Sequence, residues 1–555
     1  MPSRPRSSLW TLSLPLTLVI GVLLGAFLPR NDDFFELRKN FQIFGAAYEE
    51  LVTGYVEPLD PERLMRVGLD AMLSDLDPFT TFIDEADNTD LRILTRGRYG
   101  GVGLRVERRG GQVTVIAPVE GASGYKQGVR AGDVLLRVGD QATGGLSLND
   151  VRTLLRGEPG TTIDVEVQRE GTAEPMRFTL TREQIQLQNV THRSTVGTGD
   201  IGYVKLERFT RQAGPEVRDA VRSLQDKHDL NGLILDLRDN PGGLLDAAVD
   251  VVELFVPRGS VIVSTRGRSS DERVYRSKRD PLARNLPLVV LVNGFSASAS
   301  EIVAGAIQDL DRGVVVGTTT YGKGLVQVVR SLPHNTSLKM TTAKYYTPSG
   351  RSIQSVDYAR GDTSAVPDSL LQTFETAGGR LVRDRNGIEP DLTAPLPAPS
   401  ALESALQRRA AFFFFANHYA ANRDTVPDNF SVSDADVEAF QAWLRNEQID
   451  YLTGAERSVQ SFEERFLAAA NDDLAAVRDE IAALRAALEE EKEEDFDEHR
   501  TAIQHRLEAE ILARFATESQ QVAAALRHDP QVDTSVALLN DSERYATILT
   551  PQASR

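Results

Sequence analysis

Three serines at the start of a predicted helix are the first residues in this sequence whose placement suits catalysis. Ser296, Ser298 and Ser300 lie between Gly294 and Glu301, directly after an apolar run that indicates a buried strand. A hydroxyl at such a junction lies near unpaired main-chain N–H groups and the positive end of the helix dipole. These features stabilise an oxyanion as it forms. The structural alternative is that the serines cap the helix and Glu301 completes a capping box.

A lysine between two glycines has the environment that a general base needs. Lys323 is flanked by Gly322 and Gly324 and is followed by the apolar residues Leu325 and Val326. A base must be neutral at the working pH, and desolvation lowers the pKa of an amine from about 10.4 toward about 7–8. The sequence therefore offers a nucleophile and a base of the Ser–Lys type.

Gln327 has the chemistry to support Lys323 as a base. It can hydrogen-bond the lysine amine and orient it without adding charge, whereas a carboxylate there would raise the amine pKa.

A nucleotide-binding loop is the competing interpretation of the residues around Lys323, because Gly317, Gly322 and Lys323 have the spacing of a phosphate-binding loop. It fails at Gly324, where a Ser or Thr would be needed to hold Mg²⁺.

Several other chemistries find no support in the sequence. None of the seven histidines lies in the sequence context of a Ser/His/Asp triad, and no H-E-x-x-H or similar metal-ligand spacing occurs. The chain has no cysteine, which excludes thiol nucleophiles, zinc-thiolate sites and disulfides. Its formal net charge of −18 disfavours a nucleic-acid partner, because phosphate binding needs clustered cations.

The elements that must position the serines and the lysine alternate between strands and helices. Leu233–Leu235 and Leu288–Val292 predict buried strands, and Glu301–Leu310 predicts a helix. Alternation of this kind over residues 186–395 favours an α/β core.

Residues 91–185 instead predict a small β domain. A single helix, Leu148–Leu155, interrupts short strand-like runs that are separated by glycines. The runs are Val102–Val106, Val113–Ile116, Val134–Val138, Ile163–Val167 and Met176–Leu180. The glycine-rich start of this domain allows N–H groups to converge on a peptide carboxylate, and the next strand can accept a peptide as an added strand. The residues concerned are Gly100, Gly101, Val102, Gly103 and Leu104.

Taken in order, these motifs resemble those of the carboxyl-terminal processing peptidases, also called tail-specific proteases. The resemblance covers roughly residues 40–395, and it includes Leu76-Asp77-Pro78, the segment from Asp236 to Gly243 and the segment from Tyr346 to Arg351. It implies a crotonase-like, ClpP-like α/β protease core with an inserted PDZ domain, flanked by N-terminal and C-terminal helical regions. It also implies that no cofactor, metal or ATP is needed.

The resemblance assigns the catalytic roles residue by residue. Ser298 matches the nucleophile, Lys323 the general base, and Gln327 the residue that positions the base. Spacing alone leaves Ser296 or Ser300 open as the attacking serine.

Further roles follow from the same resemblance. The oxyanion hole takes one amide from Ala299 and a second from Gly243, with Gly242 as the alternative. The segment Gly100 to Leu104 binds substrate carboxyl termini, and Arg156 helps to assemble the active conformation.

The predicted function is therefore that of a serine endopeptidase that recognises accessible C-terminal tails of proteins. Two other classes compete with it. A non-catalytic PDZ scaffold would have no need of the serine, lysine and glutamine. A crotonase-like enzyme would bind an acyl thioester.

The amino-terminal segment predicts the location. Arg4 and Arg6 precede Leu9–Leu28, an uncharged run of about 20 residues, which is the length that crosses a bilayer as a helix. Basic residues on the short flank favour a cytoplasmic amino terminus, so the rest of the chain is expected outside the inner membrane. A cleaved signal peptide is the alternative, and it would make the protein secreted.

The carboxyl-terminal part predicts helices. A heptad pattern with Leu467, Leu474, Ile481 and Leu488 indicates a short coiled coil, either an intrachain hairpin or the seam of a homo-oligomer. The predicted domains are the membrane anchor or signal, an N-terminal helical region, the PDZ domain, the protease core and a C-terminal helical region. Their boundaries are 1–30, 31–90, 91–185, 186–395 and 396–555.

Overall fold

The computed structural model describes the chain in two compact units, residues 1–82 and 83–555. The described residues are 32–551 without 86–92, 94–96, 269–270, 357, 359–366, 368, 370, 422, 424, 428, 448–453 and 470–474. Among them, no helix has the length and apolar character that spanning a bilayer requires. The predicted span Leu9–Leu28 lies outside the described residues.

The described part of the first unit is a pair of helices, α1 (Asp32–Gly54) and α2 (Pro61–Ser74). Asp60 begins α2, because its carboxylate accepts hydrogen bonds from the first-turn amides and Pro61 follows at a position that needs no amide hydrogen. The Tyr48 hydroxyl donates to the carbonyl of Pro61 at 2.6 Å and joins the two helices. The short strand β1 (Thr81–Ile83) follows.

The small β domain forms as the sequence predicts. Its antiparallel sheet has the order β3-β4-β5-β7-β8, with β6 paired to β5, and β2 pairs with β9 beside it. The helix α4 (Leu148–Leu155) begins at a capping box between Ser147 and Asp150. The elements of this domain are β2 (Arg98–Gly101), β3 (Leu104–Arg109), β4 (Gln112–Pro118), α3 (Ser123–Lys126), β5 (Val134–Val138), β6 (Gln141–Ala142), α4, β7 (Thr162–Gln168), β8 (Met176–Thr181) and β9 (Glu183–Gln186).

The core of the second unit is a mainly parallel sheet. Six strands of the described chain have the order β10-β11-β12-β15-β16-β21, and all neighbours are parallel except β10 and β11. The strands are β10 (Val190–Val196), β11 (Ile201–Leu206), β12 (Gly232–Asp236), β15 (Leu288–Val292), β16 (Val314–Gly317) and β21 (Leu392–Thr393). Every residue of β12 and β15 is buried, as expected for central parallel strands covered on both faces.

Alternate side chains of the central strands enter two different apolar clusters. On one face, Leu235 and Val290 pack against α5 (Ala213–Lys227), α6 (Leu245–Val252) and α7 (Ala299–Asp309). On the other face, Ile234 and Leu291 pack against α15 (Pro530–Asn540) and α16 (Ser542–Ile548). The sheet is therefore covered on its second face by helices from the far carboxyl-terminal part of the chain.

A second, antiparallel sheet follows the core. Its strand β18 (Ser337–Tyr346) pairs with both β13 (Val261–Gly267) and β17 (Leu325–Ser331), and β14 (Arg273–Arg276) pairs with β13. Two further short strands, β19 (Thr373–Glu375) and β20 (Leu381–Arg383), pair with each other. The loop from β16 to β17 carries Lys323, so the two sheets together determine where that residue lies.

Seven further helices lie in the carboxyl-terminal part of the described chain. They are α8 (Ala401–Arg408), α9 (Ala411–Ala421), α10 (Asp434–Asn446), α11 (Gly454–Ala469), α12 (Ala475–Glu498), α13 (Arg500–Phe515) and α14 (Glu518–Ala525). Among the described residues, all of these helices except α11 contribute to a separate apolar cluster, which contains Phe412, Phe440 and Leu507. The predicted heptad begins in α11 and continues in α12, where Ile481 is buried and Leu488 is half-buried. Leu474 lies outside the described residues. An oligomer seam here stays a prediction.

Candidate active site

Ser298 lies at the turn between β15 and α7, where it is the N-cap of the helix. Its φ of 56° is in the left-handed region that residues other than glycine rarely adopt, and such strained conformations concentrate at functional sites. Ser296 and Ser300 are fully buried, and their hydroxyls donate to the carbonyls of Leu237 and Asn240 at 2.8 and 2.9 Å. Ser298 is the half-buried member of the three.

The carboxylate of Glu301 joins the serine turn to the lysine loop. Its Oε2 accepts from the amides of Ser298 at 2.7 Å and Lys323 at 2.9 Å. Its Oε1 accepts from the amide of Gly322 at 2.7 Å and the hydroxyl of Thr320 at 2.6 Å. Glu301 is fully buried; burial raises its pKa, and these hydrogen bonds oppose that effect. The capping box predicted from the sequence thus accounts for only one of the four hydrogen bonds that this carboxylate accepts.

The Tyr345 hydroxyl joins the same two segments through their carbonyls. It lies 3.1 Å from the carbonyl oxygen of Ser298 and hydrogen-bonds the carbonyl oxygen of Lys323. Tyr345 is on β18 and is buried, and burial raises the pKa of its hydroxyl well above the ordinary value. Neither Tyr345 nor the shared contacts of Glu301 were predicted from the sequence, because no local pattern signals them.

Two main-chain amides of the predicted oxyanion hole have no hydrogen-bond acceptor among the described residues. They belong to Ala299, which follows Ser298, and to Gly243. Gly242, by contrast, donates its amide to Asn240 at 2.9 Å. A Cβ placed on Gly242 would lie 2.9 Å from the nitrogen of Ala299 and 3.0 Å from the Cβ of Ser298, so the glycine segment lies directly against the serine turn.

The segment that carries Gly243 begins with a buried ion pair. Arg238 pairs with Asp236 at 2.6 Å, and Lys205 pairs with Asp236 at 3.3 Å while donating to the carbonyl of Arg238 at 2.8 Å. Burial would raise the pKa of Asp236, but the charges of Lys205 and Arg238 outweigh it and hold the pKa well below its usual range.

The same arginine reaches the carboxyl-terminal helices. Its guanidinium pairs with Asp529 at 2.7 Å and donates to Oε1 of Gln531 at 2.8 Å. Asp529 is the N-cap of α15, and Gln531 is buried. The helix that covers the second face of the core sheet therefore also holds the start of the glycine segment, a contact that sequence analysis did not predict.

Gln327 lies on β17, just after a register shift in the pairing of β17 with β18. Its amide nitrogen donates to the hydroxyl of Thr341 at 3.2 Å. Lys323 itself is half-buried in the preceding loop. The positioning of Lys323 by Gln327 stays a prediction.

Comparison with known proteins identifies three segments. The sequence pattern of Peptidase family S41 matches residues 200–359, that of the PDZ domain matches residues 114–169, and that of the "Probable PDZ-protease, C-terminal helical domain" matches residues 402–539. The first segment contains Ser298, Lys323 and Gly243.

The chain is also similar to whole proteins. A carboxy-terminal-processing protease of Bartonella bacilliformis is 38% identical over 322 residues, which cover 57% of this chain and 73% of the relative. The chain belongs to the carboxy-terminal processing proteases. A carboxyl-terminal-processing protease of Synechocystis is 34% identical over 348 residues, covering 62% of this chain and 78% of the relative. The solved photosystem II D1 C-terminal processing protease is 30% identical over 68% of this chain and 89% of its own, with a TM-score of 0.37.

Membership in the carboxy-terminal processing proteases confirms three predictions. The protein is a serine-type peptidase, it carries a PDZ domain, and its fold is an α/β peptidase core with helical amino-terminal and carboxyl-terminal regions. The catalytic roles of individual residues stay predictions.

In the PDZ domain of this processing protease, the segment Gly100 to Leu104 lies where β2 ends and β3 begins. The amide of Val102 donates to the carbonyl of Leu155 at 3.3 Å, which ties the segment to the end of α4. Gly103 has a φ of +73°, and a Cβ there would lie 2.3 Å from the Cβ of Ala122. Position 103 is therefore closely packed and requires glycine.

Arg156 ends α4, and its guanidinium carbon lies 5.7 Å from the centre of the Tyr99 ring. Its backbone forms an isolated bridge with Gly101. Arg156 thus adjoins the predicted carboxylate-binding segment, and its role in assembling the active conformation stays a prediction.

Proposed function

We propose that this carboxy-terminal processing protease cleaves peptide bonds with Ser298 as nucleophile and Lys323 as general base. The main support is that two buried side chains bind the backbones of both residues. Glu301 accepts from the amides of Ser298 and Lys323, and the Tyr345 hydroxyl contacts the carbonyls of the same two residues. Ser296 and Ser300 are less suited to attack, because both hydroxyls are buried and donate to carbonyls.

The proposed reaction is acyl transfer to water. The Oγ of Ser298 attacks the carbonyl carbon of the scissile bond while the neutral amine of Lys323 takes its proton. The amides of Ala299 and Gly243, which have no acceptor among the described residues, donate to the oxyanion of the tetrahedral intermediate. Lys323 then returns its proton to the leaving amine, and the C–N bond breaks. A water molecule, deprotonated by Lys323, hydrolyses the ester on Ser298, and Gln327 orients the lysine.

The proposed substrates are extracytoplasmic proteins with accessible carboxyl-terminal tails. Such a tail would bind along β3, with its carboxylate at the segment Gly100 to Leu104. Arg156 would link tail binding to the active conformation. We place the enzyme in the cell envelope, held at the inner membrane by Leu9–Leu28 or secreted if that segment is removed, with the helical regions available for homo-oligomers.

Digestion of a folded substrate protein with an unstructured tail, followed by mass spectrometry, tests the catalytic assignment. Wild type should produce discrete internal cleavages, and Ser298→Ala and Lys323→Met should produce none. Labelling by a fluorophosphonate should distinguish the two variants, because Ser298→Ala loses the labelling completely and Lys323→Met does not. Equal turnover by Ser298→Ala and wild type would refute the proposal. Binding of coenzyme A by the wild type would instead favour an acyl-thioester enzyme.

A further inference from the structure

Two arginines lie beside the groove between β3 and α4. Arg152 is on α4, and its Nη2 lies 3.4 Å from the carbonyl oxygen of Val106 on β3. Arg108 is on β3, and it donates to the carbonyls of Gly111 at 2.6 Å and Leu146 at 2.7 Å. Leu146 immediately precedes the cap of α4, so both guanidiniums connect β3 to the helix side of the groove.

Neither guanidinium has a carboxylate partner among the residues that the structure describes. The charged side chains closest to these arginines in the sequence have other partners. Arg105 pairs with Glu518 at 3.3 Å, Glu107 pairs with Arg109 at 2.9 Å, and Asp150 accepts the capping-box bonds of Ser147. Arg108 and Arg152 therefore leave uncompensated positive charge along this groove.

The orientation of a bound tail follows from the position of the glycine-rich segment. That segment precedes β3, which is an edge strand of its sheet in the described chain. A peptide whose carboxylate binds there must run antiparallel to β3. Its last residue then lies beside Leu104, its third-from-last residue beside Val106, and its fifth-from-last residue beside Arg108.

Resting on the proposed function of this domain, we propose that Arg152 and Arg108 select tails with acidic side chains at the third-from-last and fifth-from-last positions. When the peptide adds to β3, its amides take over main-chain acceptors such as the carbonyl of Val106. Arg152 then loses its present acceptor and pairs with a carboxylate of the tail, for which a guanidinium is geometrically suited.

Peptide binding by the full chain carrying Ser298→Ala tests this inference without cleavage. The probe is a fluorescein-labelled decapeptide ending in Glu-Ala-Glu-Ala-Val, compared by anisotropy with versions in which either or both Glu are Gln. Each replacement should weaken binding about three- to fivefold, the upper part of the range for one solvent-accessible ion pair. In 0.5 M salt the difference should fall below about twofold, because screening shortens the reach of the charges.

The arginine variants assign the effect to the two sites. Arg152→Gln should remove the preference at the third-from-last position and Arg108→Gln the preference at the fifth-from-last. Arg137→Gln is the matched control, because Arg137 lies in the same domain and likewise donates to a main-chain carbonyl, that of Asp140 at 2.7 Å. It should leave both preferences intact. Thermal melts of the three variants verify that the domain remains folded.

The outcomes separate this inference from the proposed function. If the free-acid peptide binds and its carboxyl-terminal amide does not, the tail-binding function holds. Equal affinity for the Glu and Gln peptides would then overturn the inference alone. Equal affinity for the acid and the amide would instead overturn tail recognition by this domain, and the inference with it.

Discussion

The amides of Ser298 and Lys323 donate to the same oxygen, Oε2 of Glu301, at 2.7 and 2.9 Å. One buried carboxylate therefore determines the separation of two loops that follow different strands of the core sheet. Because Tyr345 binds the carbonyls of the same two residues, neither loop can shift without breaking contacts to both the amide and the carbonyl of its residue.

Replacing Glu301 with Gln should damage both stability and activity. The side-chain nitrogen of Gln would face two of the four donors that the carboxylate now satisfies, and each buried unsatisfied donor costs about 1–3 kcal/mol. We expect denaturant titration to show a free energy of unfolding lower by about 2–4 kcal/mol, and peptide assays to show kcat reduced roughly 100-fold.

The matched control for Glu301→Gln is Glu403→Gln. Glu403 has the same position in the capping box of α8, where it accepts from the amide of Ser400 at 2.9 Å. Its replacement should cost less than about 1 kcal/mol and leave activity unchanged. Equal behaviour of the two variants would show that Glu301 acts only as a cap.

Tyr345→Phe should lower kcat about tenfold with KM unchanged, because the ring remains while the hydroxyl that binds the Ser298 and Lys323 carbonyls is lost. Steady-state kinetics on a short peptide would measure this. Tyr545→Phe is the comparison, since the Tyr545 hydroxyl donates to the carbonyl of Leu288 at 3.0 Å, at the other end of β15. A similar loss of kcat in both variants would contradict a specific role for Tyr345.

Gly242→Ala should abolish reaction with a fluorophosphonate. Its Cβ would lie 2.6 Å from the carbonyl oxygen of Ala297 and 2.9 Å from the nitrogen of Ala299, so the serine turn must move. Gly259→Ala separates this clash from backbone strain. Gly259 has a φ of +90°, close to the +99° of Gly242, but has no atom within 4 Å of the added Cβ. Both variants should lose about 1–2 kcal/mol of stability from strain, and only Gly242→Ala should lose labelling.

Gln531→Ala should reduce kcat about tenfold while KM stays constant, because Arg238 would lose an acceptor and the glycine segment that follows it would be less well held. Gln521→Ala tests whether any glutamine in this region matters. The Gln521 side-chain amide donates to the carbonyl of Ala516 at 2.9 Å, five residues earlier in the chain, and does not contact Arg238. If Gln531→Ala retains wild-type kcat, the carboxyl-terminal helices do not position the proposed oxyanion donor Gly243.

His192 should make stability depend on pH. Its ring lies between Ser519 and Ser194, at 2.8 and 2.9 Å, and burial lowers its pKa against a smaller raising effect of the Ser519 hydrogen bond. The unfolded chain then binds a proton more readily than the folded one. The contribution of His192 is therefore full above pH about 6.5 and is lost as the pH falls through the lower folded-state pKa.

Urea titrations between pH 8 and pH 5 would measure the effect. The free energy of unfolding should fall less steeply with decreasing pH in His192→Gln than in the wild type. The exposed His228 supplies the control substitution, His228→Gln, which should retain the wild-type slope. Identical slopes in all three proteins would exclude His192 as the source.

Short, strongly patterned elements were predictable from the sequence. The helix Leu148–Leu155 and the strands Val134–Val138 and Leu288–Val292 have the predicted bounds. Each is specified by its own residues, through a capping box or a run of β-branched and aliphatic side chains. The strand predicted at Val102–Val106 instead spans Leu104–Arg109, because Val102 is engaged by the carbonyl of Leu155.

Features that depend on distant residues could not be predicted. The capping box revealed one contact of Glu301, but the donors Thr320, Gly322 and Lys323 come from the next loop of the core. The same holds for Arg238, whose partners on α15 lie almost 300 positions later. The heptad in α11 and α12 predicted helices without specifying what they pack against.

The covering of the core sheet by α15 and α16 has a consequence for biosynthesis. Domains fold largely from the amino terminus while the chain is being made. Ile234 and Leu291, however, gain their second layer of neighbours only after residues 530–548 have been synthesised. A nascent chain therefore carries Ser298 long before it can complete the scaffold around it, which delays proteolytic competence until residues 530–548 have been made.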